Sequence, residues 1–430
     1  MSSRPNIILI HTHDTGRRLG CYGAPVPTPH LSRLAREGAL FRRAFCASPG
    51  CSASRASMLT GQMPHTNGVI GLVHRGFRMR DVRRHLSHLL RDAGYHTALI
   101  GFQHEVPADQ VGTLGYDEVI PNGDLPRHSV ERCRAAADWL SRASNEPFFL
   151  NVGLVETHRP FSPLESPDDE RYVNPLPFLP DDPEVRRDVA ELHTAVRHVD
   201  DGVGLLLDAM DRRGLTDRSI AIFTTDHGVP FPRAKATLFD AGIGVAFLMR
   251  APRLFAGGQV VDALFSQVDL LPTLFDFLNL PAPPDLHGLS FVPLLTGKPG
   301  VIRDQVITQL TYHAAYDPAR AVRTARHKYI RYFEDRPRWV LPNVDGSPTK
   351  THLMGLGLPI GERPREMLFD LTADPCEFEN LIDSPHYTDV LADLRRRLDD
   401  WMERTDDPIR HGPMPPHPGA KITPHDAINP

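Results

Sequence analysis

The run Asn6-Ile7-Ile8-Leu9-Ile10-His11-Thr12-His13-Asp14 decides the fold. Its first half is continuously apolar and too short for a core helix, as expected of a strand buried on both faces. Its second half turns abruptly polar, so a strand here ends in imidazole, hydroxyl and carboxylate groups. Four further apolar runs bounded by turn residues read the same way: Thr97–Gly101, Pro147–Gly153, Ser219–Thr225 and Val245–Arg250. Amphipathic periodicity fills the intervals and predicts helices over Thr28–Glu37, Val82–Ala93, Ser129–Ser144, Pro183–Arg213 and Gln267–Leu278, with Gly94 as a C-cap glycine. Strand and helix alternate over about 280 residues, which predicts an α/β fold with a mostly parallel sheet covered on both faces. In such sheets ligands bind beyond the carboxyl ends of the strands.

The pattern changes near Val301. Gln305–Leu310, Ala321–Thr324 and Tyr329–Phe333 are strand-like, and a long helix is expected at Tyr387–Thr405. We therefore expect a main unit over residues 1–300, a smaller α+β unit over 301–410 and a tail over 411–430. The Pro- and Gly-rich stretch Leu341–Arg365 reads as a surface loop, and Pro408–Pro430 as poorly ordered.

With 48 basic and 53 acidic residues the formal charge is −5, and no like-charge run is long enough to bind nucleic acid or a membrane surface. An anionic ligand would have to be held by a local cationic pocket. The apolar run after Met1–Pro5 is too short for a signal-peptide core, and no stretch approaches a membrane span, so a cytoplasmic protein is expected. Cys21, Cys46, Cys51, Cys133 and Cys376 show no paired or metal-like spacing, which argues against a disulfide framework and leaves room for one special thiol.

Chemistry-bearing groups cluster where strands end. The first strand runs into His11-Thr12-His13-Asp14, and Ser219–Thr225 runs into Asp226-His227-Gly228. Carboxylate oxygens and neutral imidazoles from two strand ends can hold one divalent cation, although each pair alone serves equally well as a turn or a cap. The segment Cys51-Ser52-Ala53-Ser54-Arg55-Ala56-Ser57-Met58-Leu59-Thr60-Gly61 adds a thiol near a predicted helix start with a guanidinium one turn on. That is the setting of a low-pKa cysteine, and equally that of an inert buried one.

This last segment resembles the sulfatase signature, a Cys-x-Pro-x-Arg core followed by Ala-Ser-Leu-Leu-Thr-Gly. The resemblance extends to Asn6–Gly23, Phe223–Gly228 and Leu368–Leu381. Within the family, Asn67–Leu72, Asp200–Gly204, Thr225–Pro232 and Trp401–Pro408 are most similar to N-sulfoglucosamine sulfohydrolases, the sulfamidases. It implies an alkaline-phosphatase-like sandwich with a smaller C-terminal α+β subdomain, and hydrolysis of a sulfate ester or sulfamate, with a sulfated saccharide as substrate.

Position by position, the resemblance implies that Cys51 becomes formylglycine through a formylglycine-generating enzyme, acting as nucleophile and metal ligand. Arg55 would polarise the hydrated aldehyde, and His104 would bond to it or take its proton. His158 would contact sulfate and protonate the leaving group, and Lys235 would hold a sulfate oxygen. Asp14, Asp226 and His227 match the metal positions, with calcium the expected ion and manganese or magnesium the alternatives.

Four departures matter. His13, a candidate metal ligand through nitrogen whose ligation stays open, stands where the family has a second aspartate, Phe102 where it has a lysine, and Ala53 where the modification motif has a proline. His313 lies in a stretch that lacks the family's acidic partner. Arg17 and Arg18 are the nearby cations that could replace the missing lysine. Two other functions stay open: a phosphodiester or phosphonate monoester hydrolase of the same superfamily, and a non-catalytic protein that binds anionic saccharide. A homo-oligomer also remains open.

Overall fold

The computed structural model describes residues 4–143, 147–165, 169–298, 300–357 and 362–430. Its main sheet has eight strands: β1 (Asn6–Thr12), β2 (Ala39–Phe41), β3 (His96–Gly101), β4 (Glu118–Pro121), β5 (Phe148–Gly153), β6 (Ser219–Thr225), β7 (Phe247–Arg250) and β8 (Gln259–Val261). In space they run β4-β3-β5-β1-β6-β7-β2-β8, and β7 alone is antiparallel to its neighbours. The first strand is therefore central, which is why Ile7–Ile10 is apolar on successive residues rather than on alternate ones. Ile7 and Leu9 point into one core, while Ile8 and Ile10 point into the other.

Helices cover both faces. The second core takes in Leu31 and Leu34 of α1 (Pro29–Glu37), while the first takes in Met58 and Leu59 of α2 (Cys51–Thr60). On the face of α1 also lie α3 (Ser129–Arg142) and α4 (Pro183–Arg212), packed along each other. Gly202 of α4 permits that approach, because a methyl group there would stand 2.8 Å from the Ser129 carbonyl oxygen of α3. The expected helix over Val82–Ala93 is instead a short 3-10 turn followed by Leu86–Asp92, the break falling at His85, whose side chain caps the second piece. The helix expected to reach Ser144 ends at Arg142, and Ser144 lies outside the described residues.

A second sheet follows: β9 (Gln305–Tyr312), β10 (Tyr316–Thr324), β11 (His327–Tyr332) and β12 (Glu366–Asp370), antiparallel in that order. One face joins the first core through Ile330 and Met367. The other packs Val322, Tyr329 and Leu368 against Leu394, Leu398 and Trp401 of α5 (Thr388–Arg404).

Two expectations are corrected. The stretch Leu341–Arg365 is not a simple surface loop, because Pro348–Gly355 forms a helix that starts at a Ser347 cap and buries Thr349 and Leu353; residues 358–361 lie outside the described residues. Pro408–Pro430, expected to be poorly ordered, is held by specific bonds. Tyr312 donates to the Met414 carbonyl at 2.7 Å, Lys421 N–H to the Arg75 carbonyl at 2.7 Å, and Thr423 N–H to the Ala314 carbonyl at 2.9 Å. Proline and glycine marked these segments as irregular, but irregular backbone whose polar groups find partners is ordered.

Candidate active site

Four adjacent parallel strands, β3-β5-β1-β6, end side by side. Thr12 pairs with Thr225, so the next residues of β1 and β6 emerge together, and the Asp14 N–H donates to Asp226 Oδ1 at 2.9 Å. Asp14 has φ +54°, a left-handed turn that brings its carboxylate back over the strand ends. On the other flank Gly101 pairs with Gly153, and Phe102 N–H donates to the Gly153 carbonyl at 3.0 Å. Only glycine fits at 153, since an added methyl would lie 1.8 Å from the Phe102 carbonyl oxygen. This contact sets the loops bearing His104 and His158 beside those bearing His13 and Asp14.

His13, Asp14, Cys51, Asp226 and His227 bring one ligand atom each to within 4.8 Å of one another, all buried. His13 Nδ1 is 3.1 Å from both Asp14 Oδ1 and Asp226 Oδ2, and His227 Nε2 is 3.1 Å from Asp14 Oδ1. Cys51 opens α2 at its positive end, with Sγ 3.3 Å from His227 Nε2. The donors mix oxygen and nitrogen around two buried carboxylates, a set that suits a divalent ion.

Electrostatics keep these groups in ligand form. Burial pushes the Asp14 carboxyl up, but Lys235, His227 and His158 outweigh it and hold it well below the usual carboxylate range. For Asp226 the same burial is outweighed by His13, His227 and Arg55. Burial lowers His13 far below its ordinary value, which leaves its ring neutral with a lone pair to share. Burial also pushes the Cys51 thiol far up, with Asp14 and Asp226 adding to it against Lys235, so an unmodified Cys51 is a protonated, poor nucleophile.

Two buried cations face this cluster. Arg55 donates to Asp226 Oδ2 from Nη2 at 3.1 Å and from Nε at 3.3 Å, and to the Thr12 carbonyl at 2.8 Å. Its remaining Nη1 meets His11 Nδ1. Lys235 donates to Asp14 Oδ2 at 2.8 Å and to Asp345 Oδ2 at 2.6 Å; burial pulls its pKa down, yet the two carboxylates raise it well above the ordinary value. His158 Nε2 lies 4.0 Å from Asp14 Oδ2, and its ring meets that of His13 edge-on at 4.4 Å. His104 stands 6.1 Å from His13 and makes a 2.9 Å contact with His74 Nδ1 through its own Nε2.

The structure thus gathers Arg55, His104, His158 and Lys235 around the five cluster residues, Cys51 among them. Arg17 and Arg18 do not join them. Arg17 donates to the carbonyls of Ala44 and Val245, and Arg18 turns to His193 at 2.7 Å. The lysine position is filled by the Phe102 ring, over which the Arg55 guanidinium sits at 5.2 Å. Two members had no warning in the sequence. Asp345 is a lone acid in a Pro- and Gly-rich stretch, and His74 sits in no motif; only tertiary contact joins them to Lys235 and His104.

Comparison with known proteins agrees with this geometry. A family model described as sulfatase matches residues 5–280, and one described as N-sulphoglucosamine sulphohydrolase, C-terminal, matches residues 232–354. The chain is 31% identical to human N-sulphoglucosamine sulphohydrolase, over 94% of this chain and 91% of that one. A protein solved in complex with its substrate D-glucosamine-2-N,6-O-disulfate shares the fold, with TM-score 0.74 and 19% identity over 96% of this chain and 99% of that one. So does the phosphonate monoester hydrolase of Agrobacterium radiobacter, with TM-score 0.71 and 20% identity over 94% and 96%.

Proposed function

Since this chain belongs to the sulfatase family, we propose that it hydrolyses a sulfated saccharide, N-sulfoglucosamine foremost, with residue 51 in its formylglycine form and a divalent cation. The observation that carries the reading is the convergence at the strand ends of Cys51, two carboxylates, two imidazoles, Arg55 and Lys235. The 31% identity to the human sulphohydrolase over nearly the whole chain supports the choice of substrate.

His13, Asp14, Asp226 and His227, with residue 51, would hold the cation. Calcium is the expected ion, and the nitrogen of His13 widens the choice to manganese. A bound cation supplies Lewis-acid stabilisation of charge on sulfate oxygens. Formylglycine at residue 51 would supply a hydrated aldehyde as the nucleophile.

The chain's own residues do the rest. Arg55, with its planar fork of donors, orients the oxygen of residue 51 while fixing Asp226. Lys235 is kept charged by Asp14 and Asp345 and turns to a sulfate oxygen. His104 takes a proton from residue 51, steadied by His74. His158 is held below its ordinary pKa chiefly by burial, with Lys235 adding to it. An arriving anion raises its proton affinity, which lets it protonate the leaving group.

The test is a peptide mass measurement across residue 51 on protein made with the modifying enzyme, together with desulfation of N-sulfoglucosamine. A loss of about 18 mass units with turnover is the expected result. A fully unmodified thiol in the natural host would defeat it and favour an anion-binding role.

A further inference from the structure

Building on the sulfohydrolase reading, we infer that Asp345 selects substrates whose leaving group is an amine, favouring sulfamates over sulfate esters.

Depth orders the pocket. Side-chain exposure is 0% at Asp14, 1% at Lys235, 21% at Asp345 and 30% at His158. Asp14, His158 and Asp345 nonetheless bring their ligand atoms to within 4.8 Å of one another. A tetrahedral anion seated at buried Cys51 therefore directs its bridging atom and the attached sugar outward, between His158 and Asp345.

A carboxylate at that rim is otherwise a liability for an enzyme that binds anions. Asp345 stands outside the five-residue cluster, and its one hydrogen-bond partner among the described residues is Lys235. When Lys235 turns to a sulfate oxygen, Asp345 is left a largely buried acceptor in need of a donor. The bridging oxygen of a sulfate ester has no hydrogen to give and presents lone pairs. The bridging nitrogen of a sulfamate has an N–H.

Products differ in the same direction. A sulfamate reacts as R–NH–SO3⁻ + H2O → R–NH3⁺ + SO4²⁻: the S–N bond breaks, the water oxygen ends on sulfur, and the nitrogen takes up both protons. An ester yields a neutral alcohol. An ammonium forming beside Asp345 makes a charge-assisted hydrogen bond that an alcohol cannot match. Nearby, buried His313 has neither ring nitrogen paired among the described residues, and Asn343 Nδ2 is likewise unpaired among them, which leaves further polar groups to meet the saccharide.

The experiment compares wild type with Asp345→Asn on N-sulfoglucosamine and on 4-nitrophenyl sulfate, using protein verified to carry the residue 51 aldehyde. The variant is expected to lose kcat/KM for the sulfamate roughly tenfold more than for the aryl ester. Wild type should also be inhibited by glucosamine more strongly than by uncharged N-acetylglucosamine, a measurement that needs no variant. Equal losses on both substrates would overturn the inference, since Asp345 would then only hold Lys235. Wild type that cleaves the aryl sulfate but not N-sulfoglucosamine would overturn it while sparing the sulfohydrolase reading. Aldehyde-bearing wild type inert to both would defeat the two together.

Discussion

At the scale of single residues, chemistry here depends on what each side chain touches. Cys51→Ala removes the side chain proposed to become the nucleophile and is expected to abolish turnover while the thermal midpoint stays close to wild type, as kinetics and calorimetry would report. His13→Ala takes a nitrogen from between Asp14 and Asp226. It should weaken divalent-ion binding by roughly tenfold or more, read by titration calorimetry. His198 offers a pH test away from the pocket. It lies between Glu156 at 2.6 Å and Glu165 at 2.8 Å, and hydrogen bonding to Glu156 raises its pKa from 6.5 to about 9. A group raised on folding stabilises below its unfolded pKa and loses that effect as pH rises through the folded value. Thermal stability should therefore fall between pH 6.5 and 9, and His198→Gln should flatten that slope. Cys51, Arg55, Asp14 and Asp226 were legible in the sequence because motif and strand end coincide. Asp345 and His74 were not, because their partners, Lys235 and His104, are brought to them only by the fold.

At the scale of elements, the sheet was legible wherever burial on both faces gave a strand a run of successive apolar residues, as in Ile7–Ile10 of β1, Phe148–Leu150 of β5 and Ile220–Phe223 of β6. The three-residue strands β2 and β8 were not, because so short a run carries no period. Glu366–Asp370 escaped for a related reason: its residues alternate, Met367 and Phe369 toward the first core and Leu368 toward α5, in a segment of only five. The α3–α4 contact sets two effects against each other. Gly202→Ala improves helix propensity by about 1 kcal/mol. It also drives a methyl to 2.8 Å from a backbone carbonyl that cannot yield without moving α3. Overpacking of this kind costs about 1–3 kcal/mol, so the expected result is net destabilisation, seen as a lower denaturant midpoint with an unchanged slope.

At the scale of the whole molecule, the last residues tie the two sheets' surroundings together. Lys421 and Thr423 bond to Arg75 and Ala314, and Lys350 Nζ donates to the Ile428 carbonyl at 2.6 Å. Removing residues 413–430 should lower the thermal midpoint by several degrees and expose Tyr312 and Tyr316, which fluorescence would detect. Composition pointed the other way because proline and glycine report local irregularity and say nothing of long-range anchoring. The sheet order has a temporal consequence as well. The strand first in the chain lies between β5 and β6, the fifth and sixth to leave the ribosome, so residues near position 12 wait for partners near 150 and 225. Pairings this distant are slow, and no fragment ending before β6 can own a pocket. During refolding, capacity to bind a divalent ion should then appear only with the slowest phase, long after helical signal has returned.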